Sequence, residues 1–263
     1  MNKIIYALLT LAALTSCANS YNIQGSSDVQ MLDGRMLYLK VFKNSDLKNV
    51  DSCDVVHGKF QFTGTVDSTR MATLFMDDES IMPVVIERGE INIKIDNSQQ
   101  KVSGTPLNDK LTAFLDEYNQ LQRQMEDLGH KQSQAIMDGE DENVTNARLN
   151  EEAARIADEE DKLVTGFIEE NFDNVLGPGV FFMLTAANRT PLLTPWIEAL
   201  MSKATDNFKN DAYVKTYYET AKQNEAIMSG MAEPVAAPQA PLAPLPQVPT
   251  PNQMAQPTDS VRN

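Results

Sequence analysis

From about Tyr21 to Ser103, apolar and polar residues alternate with a period of two. MLYLKVF, Met36 to Phe42, alternates, and GKFQFTGTV sets Phe60 and Phe62 on one face with Lys59 and Gln61 on the other. ATLFMD, MPVVIE and EINIKID follow; in the last, Ile91, Ile93 and Ile95 share a face from which Asn92 and Lys94 point away. Such alternation, broken by turns, marks half-buried antiparallel strands. Asp33-Gly34, His57-Gly58 and Arg88-Gly89 each offer a glycine where a tight turn needs a positive φ. Short strands at this spacing predict a small antiparallel β-sandwich or barrel.

At SGTPLNDKL the period changes. Thr105-Pro106 reads as a helix start, a hydroxyl cap followed by proline at the first helical position. Leu107, Leu111, Phe114, Leu115, Tyr118, Leu121, Met125 and Leu128 then recur at spacings of three and four, the stripe of a long amphipathic helix. MDGEDEN, Met137 to Asn143, breaks it. A second helical pattern runs from about Val144 to Asn171 through Ala147, Ala154, Ala157, Leu163, Val164, Phe167 and Ile168. Two long helices joined by a short acidic turn are expected to lie antiparallel. NVLGPG reads as a loop leading to a short apolar helix from Val180 to Ala187. Another helix starts near Thr194-Pro195, and a last one carries Tyr213, Tyr217, Ala221 and Ile227.

After Gly230 the composition shifts to a tail holding eight of the chain's 13 prolines, which forms neither helix interior nor central strand. An extended, solvated, disordered segment is expected there. The organisation predicted is a leader at 1–16, a β-sandwich-like domain at 17–104, a helical region at 105–230 and a proline-rich tail at 231–263. The fold class is α+β: a small sandwich or barrel, then a helical hairpin and further helices.

The N-terminus carries Lys3, an apolar run from Ile4 to Leu14, and then LTSC ending at Cys17. A run of about eleven residues is too short to span a bilayer, which takes about twenty. It fits a secretory signal, and LTSC resembles the bacterial lipobox, in which the cysteine thiol accepts a diacylglyceryl group. Cys17 is therefore the expected lipidation site and first mature residue, tethering the chain to the inner or outer membrane of a cell envelope. Ala18-Asn19-Ser20 follows without an acidic cluster, which favours a periplasm-facing position over export to the surface.

A net charge of −15 argues against nucleic acid and anionic-lipid patches as partners. Only His57 and His130 supply imidazole, so no metal site or other cofactor is expected. Cys53, in DSCD, reads as a small half-buried strand residue. His57 lies four residues on, about 13 Å away along a strand, and does not make a nucleophile–base pair with it. Asp138 to Asn143 lacks the glycine and acidic positions of a calcium loop. EEAARIADEEDK reads as a charged helix face, with Glu151 and Arg155 paired at i,i+4. No residue set dictates a reaction.

VDSCDVVHGKFQFTGTV, Val50 to Val66, resembles the lipoprotein family that carries domain of unknown function 4369, found in Bacteroides-type bacteria. VVIERGEINIKID, VSGTPLNDKL, FIEENFDNVLGPGVFFML and FKNDAYVKTYYETAK are similar to later signatures of the same proteins. Many of them continue into a thioredoxin-like domain; this chain has a proline-rich tail there and no Cys-x-x-Cys pair, so dithiol chemistry is not carried over. Asp67-Ser68-Thr69 and Asp259-Ser260-Val261 resemble the Asp-Ser/Thr-apolar glycosylation motif of such bacteria, making Ser68 and Ser260 candidate modification sites.

The functional expectation is a membrane-anchored, non-enzymatic binding or scaffold module with an envelope protein partner. A first alternative is a glycan- or peptide-binding protein or hydrolase with a cleft between sandwich and helices. Trp196, Tyr213, Tyr217 and Tyr218 would line that cleft, although such aromatics read first as core. A second alternative is an accessory to a separate thioredoxin-like partner.

Overall fold

A computed structural model describes residues 19–43, 46–97, 99–186 and 190–231. The expectations placed on the leader, on Cys17, on the proline-rich tail and on Ser260 lie outside the described residues. Eight strands come first: β1 (Ser20–Ser27), β2 (Met36–Lys43), β3 (Asp46–Asp54), β4 (Lys59–Thr65), β5 (Arg70–Met76), β6 (Glu79–Ile86), β7 (Gly89–Ile95) and β8 (Gln100–Ser103). Six α-helices follow among the described residues: α1 (Pro106–Met137), α2 (Glu142–Glu170), α3 (Leu176–Thr185), α4 (Pro195–Lys203), α5 (Asp206–Asn210) and α6 (Ala212–Met228). The fold is α+β.

The strands form two four-stranded sheets, ordered β4-β1-β7-β8 and β3-β2-β5-β6. Neighbouring strands are antiparallel except β1 and β7, which run parallel. The sheets face each other as a sandwich. Ile23, Phe60, Phe62, Ile91, Ile93 and Ile95 of the first meet Leu37, Leu39, Val41, Leu74, Val84 and Ile86 of the second. Burying each such side chain contributes roughly 1.5–3 kcal/mol, which fixes the register the alternation predicts. The His57-Gly58 turn has φ of 52° and 67°, with Val56 bridged to Lys59. This is the left-handed pair that a two-residue hairpin requires.

The second sheet is covered by the first on one side and, along β5 and β6, by helices on the other. Its outer face presents Val85 and Met71 to a helical core of Leu111, Phe114, Phe167, Ile168, Leu176, Phe181, Leu200, Phe208 and Tyr217. α1 and α2 form the expected antiparallel hairpin, with Lys110–Glu170 at one end and Lys131–Glu152 towards the other.

The start of α1 locks the layers together. Thr105 does not cap the helix with its hydroxyl; it is buried, and its Oγ1 accepts from Asn108 Nδ2 at 2.8 Å. The first-turn N–H groups of Leu107 and Asn108 go instead to Glu87 Oε1 at 2.9 and 3.3 Å. Asn108, fully buried, donates from Nδ2 to Val85 O and accepts at Oδ1 from Val85 N, both at 2.8 Å. β6 is the edge of its sheet, so one side-chain amide does the work of a missing neighbouring strand.

Three local expectations are corrected. In the first half of α2, Ala147, Ala154 and Ala157 face solvent, while Thr145, Leu149 and Ile156 are buried. Methyl groups bury little area, and the larger Leu149 and Ile156 choose the face. Arg155 pairs forward with Glu159 at 2.8 Å rather than back with Glu151. α3 starts at Leu176, so Gly177-Pro178-Gly179 is its first turn rather than a loop. Proline is tolerated there because first-turn N–H groups have no intrahelical partner. α5 was not apparent from the hydrophobic pattern.

Asn108→Ala is expected to leave Val85 N–H and C=O buried without partners, lowering stability by about 2–4 kcal/mol. Thermal and urea unfolding of the full chain will show this as a Tm drop of roughly 5–15 °C.

Candidate functional site

The helical layer leaves part of the second sheet's outer face open. Along β2, Leu39 and Val41 point into the sandwich, while Lys40 and Phe42 are half-buried on the outer side. Met71 and Thr73 of β5 lie beside them. Opposite stand Pro178, Gly179 and Phe182 of α3 and the start of α6, Asp211 to Tyr213. Together they enclose a groove of about 420 Å³. That volume lies within the range of small-ligand sites, about 300–1,000 Å³.

The groove's wall is aromatic. Ring centroids are 5.1 Å apart for Phe42–Phe182, 5.3 Å for Phe42–Tyr213 and 4.8 Å for Phe182–Tyr213. The last two pairs meet edge to face, a favoured arrangement. Tyr213 is held by a 2.9 Å hydrogen bond between its hydroxyl and Thr185 Oγ1, which in turn donates to Phe181 O. Burial raises the Tyr213 phenol above its ordinary range, so it stays neutral. Gly179 lets α3 approach the sheet closely, since a Cβ there would lie 2.8 Å from Met71 Cγ.

Charge is unevenly placed. Lys40, Lys43 and Arg70 border the groove with one carboxylate, Asp211, but by strand alternation the side chains of Lys43 and Arg70 leave the sheet on its sandwich side with Val41 and Ala72. Asp211 is already committed as the cap of α6, accepting from Tyr213 N and Val214 N at 2.9 and 3.2 Å. Lys40 Nζ sits 4.4 Å from the Phe75 ring centroid. Lys43 and Arg70 are exposed at the strand ends, where Arg70 Nε donates to Ser68 Oγ at 3.1 Å.

A second hollow, bounded by Glu160, Asp161, Thr185, Trp196 and Tyr217, lies among the helices. Trp196 Nε1 donates to Thr165 Oγ1 at 2.7 Å, and its ring stacks 6.2 Å from Phe181. The four aromatics proposed for one cleft are thus divided. Tyr213 lines the groove, Trp196 and Tyr217 border the second hollow, and Tyr218 packs half-buried against the helical core.

The residues weighed for chemistry do not converge. Cys53 is half-buried on β3, and burial pushes its thiol up to about 11, with Asp51 and Asp54 adding to the shift against a Gln61 backbone hydrogen bond. His57 is exposed on its turn, and His130 is exposed on α1. Asp141 caps α2, accepting from Asn143 N and Val144 N, and the neighbouring Glu140 accepts from Thr145 Oγ1. Among the described residues, no group of three His, Cys, Asp or Glu side chains is placed to hold a metal ion. Ser68 is exposed in the β4–β5 connection, where its Oγ accepts from Arg70 Nε.

Phe42, Phe182, Lys43, Arg70 and Met71 were not singled out from the sequence. The signal available was the outward-facing Tyr38, Lys40 and Phe42 of β2, two of them aromatic on the side the alternation assigns to water.

At pH 8 the Cys53 thiolate is expected to be about a hundredfold scarcer than that of an unshifted cysteine, its higher nucleophilicity restoring about tenfold. Iodoacetamide labelling in the folded chain should therefore run about tenfold or more slower than in the unfolded chain, followed by mass spectrometry.

Residues 21–111 match the family model described as "Domain of unknown function (DUF4369)". The chain therefore carries a domain of that family, covering all of β2 to β8, nearly all of β1 and the first turns of α1 with Asn108. No curated protein matches the chain.

Proposed function

We propose that this protein is a lipid-anchored module of the cell envelope that binds a ligand rather than transforming one, with the groove over the second sheet as its ligand site. The observation carrying the reading is a ligand-sized recess with an aromatic wall on a sheet face that helices otherwise cover. A filled layer interface would bury Phe42 and Met71 completely; both are half-buried. Among the described residues lining the groove no nucleophile is paired with a base, and Cys53 and His57 lie elsewhere.

The anchor would be Cys17. β1 begins at Ser20, and Asn19 O accepts from Val66 N at 2.7 Å, so the folded body would start two residues after the lipid. Among the described residues no helix is long and apolar enough to cross a membrane. Acyl chains would supply the attachment, each buried methylene adding about 0.8 kcal/mol. The tail after Met231 would serve as a spacer or as an extended ligand for an envelope partner.

Two measurements test this. Metabolic labelling with an alkyne fatty acid should mark the wild-type protein and leave Cys17→Ser unmarked and released from membranes; an unlabelled wild type overturns the anchor. Native mass spectrometry of the protein purified from its own envelope should show a small-molecule adduct. Ala212→Trp, at an exposed position on the groove's edge, should remove it, and an adduct unaffected by that change places the ligand elsewhere.

A further inference from the structure

The interior of the groove is apolar. Lys43 and Arg70 leave the sheet on its sandwich side, and the Lys40 ammonium lies over the Phe75 and Tyr38 rings, 4.4 and 5.6 Å from their centroids. The recess is faced by the three rings Phe42, Phe182 and Tyr213, with Met71, Pro178 and Thr73 beside them. Aromatic-lined grooves are the sites that take proline-rich segments in the polyproline II conformation. Such a segment brings apolar rings to the wall, and its carbonyls have no internal partners, so a hydroxyl such as that of Thr73 can donate to them.

This chain carries such a segment. Between Glu233 and Asp259 it has no charged residue and eight prolines, in a molecule of net charge −15. Polyproline II has three residues per turn, so residues three apart share an edge. Pro238, Pro241 and Pro244 share one edge, and Leu242, Leu245 and Val248 share another. The only polar side chains from Pro238 to Pro249 are Gln239 and Gln247, near its two ends.

The end of α6 points this segment the right way. Gly230, at φ 73°, donates to Ile227 O at 3.1 Å, and Met231 N donates to Ala226 O at 2.8 Å. This is a Schellman motif, which folds the chain back on the last turn. α1 ends with the same pair of bonds around Gly139, also at φ 73°, and there the chain runs back antiparallel as α2. The groove lies at the other end of α6, beside Asp211 to Tyr213, about 25 Å back along the 17-residue helix. At roughly 3.1 Å per residue, Ala232 to Gln239 covers that distance and delivers Ala240–Pro246 to the recess.

From this match of chemistry and reach we infer that the proline-rich tail occupies the groove of its own chain, with Ala240–Pro246 against Phe42, Phe182 and Tyr213. At roughly 30 Å³ for a carbon-sized group, a recess of about 420 Å³ takes on the order of a dozen of them. That is the scale of the Pro244, Leu245 and Pro246 side chains together. The tether holds the tail at an effective concentration of about millimolar, so a contact too weak to retain a free peptide suffices. The inference rests on the groove being a ligand site and supplies its regulation: a ligand enters only as the tail leaves.

The test uses the mature chain, residues 17–263, carrying Cys17→Ser and p-benzoylphenylalanine in place of Leu47. Leu47 is exposed on the groove's rim, opposite Phe42. Irradiation of dilute protein, followed by peptide mapping, is expected to join position 47 to residues 238–249 of the same molecule, with a yield independent of protein concentration. Pro244→Asp/Leu245→Asp changes only the tail, leaving the folded body untouched, and should lower that yield about tenfold because an apolar recess rejects unpaired charge. An equal yield from the double variant means a tethered chain brushing past and overturns the inference. Crosslinks found only between copies, rising with concentration, overturn it in favour of a second chain's tail. Absence of any tail crosslink overturns it outright. In that case a co-purified adduct that Ala212→Trp removes keeps the groove as a ligand site, and no adduct ends both readings.

Discussion

The amide of Asn108 is the constraint on which the rest depends. It satisfies both backbone groups of Val85 on an edge strand, and it does so from the first turn of the long helix that begins the second layer. Glu87 closes the same junction by accepting from that turn's free N–H groups. These bonds fix where α1 leaves the sandwich. The position of α1 then decides which part of the outer sheet face the helices cover. The β5–β6 side is buried under α1 and α3, while the β2 side stays open. The groove is what remains when a helical layer is pinned at one edge of a four-stranded sheet.

Most of this architecture is legible in the chain. Strand alternation marks the sandwich because one face of each strand is dry, and Phe60, Phe62, Ile91, Ile93 and Ile95 are buried as their pattern predicts. The long stripe from Leu107 to Leu128 marks α1 for the same reason. Legibility fails where the apolar signal is weak or doubled. Alanines every few residues in α2 imitate a stripe while carrying too little area to choose a face. The Gly-Pro-Gly run of α3 looks like a breaker because its helical role depends on being in the first turn. The parallel pairing of β1 with β7 leaves no local mark, since it joins segments far apart in sequence.

The candidate site was less legible than the fold. Its residues come from β2, β5, α3 and α6, and each has an ordinary explanation where it stands: Phe42 and Met71 as strand residues, Phe182 and Tyr213 as helix core. Only their convergence gives them meaning. The sequence drew attention instead to Cys53 and the histidines, which are chemically versatile residue types. The fold sets them apart: the thiol is held protonated by burial on one strand, and His57 sits exposed on a turn.

The double burial of β5 and β6 has a consequence for how this molecule can be divided. Within the second sheet β5 and β6 have a dry face on either side, so a fragment ending at Gly104 would keep the sandwich interior but lay bare Val85 and Met71. It would also lose Asn108 and leave the β6 edge open to pairing with another copy. Such a fragment is set up for sheet-to-sheet self-association. The strand module and its helices therefore behave as one cooperative body, and truncation between them trades a folded surface for a sticky one.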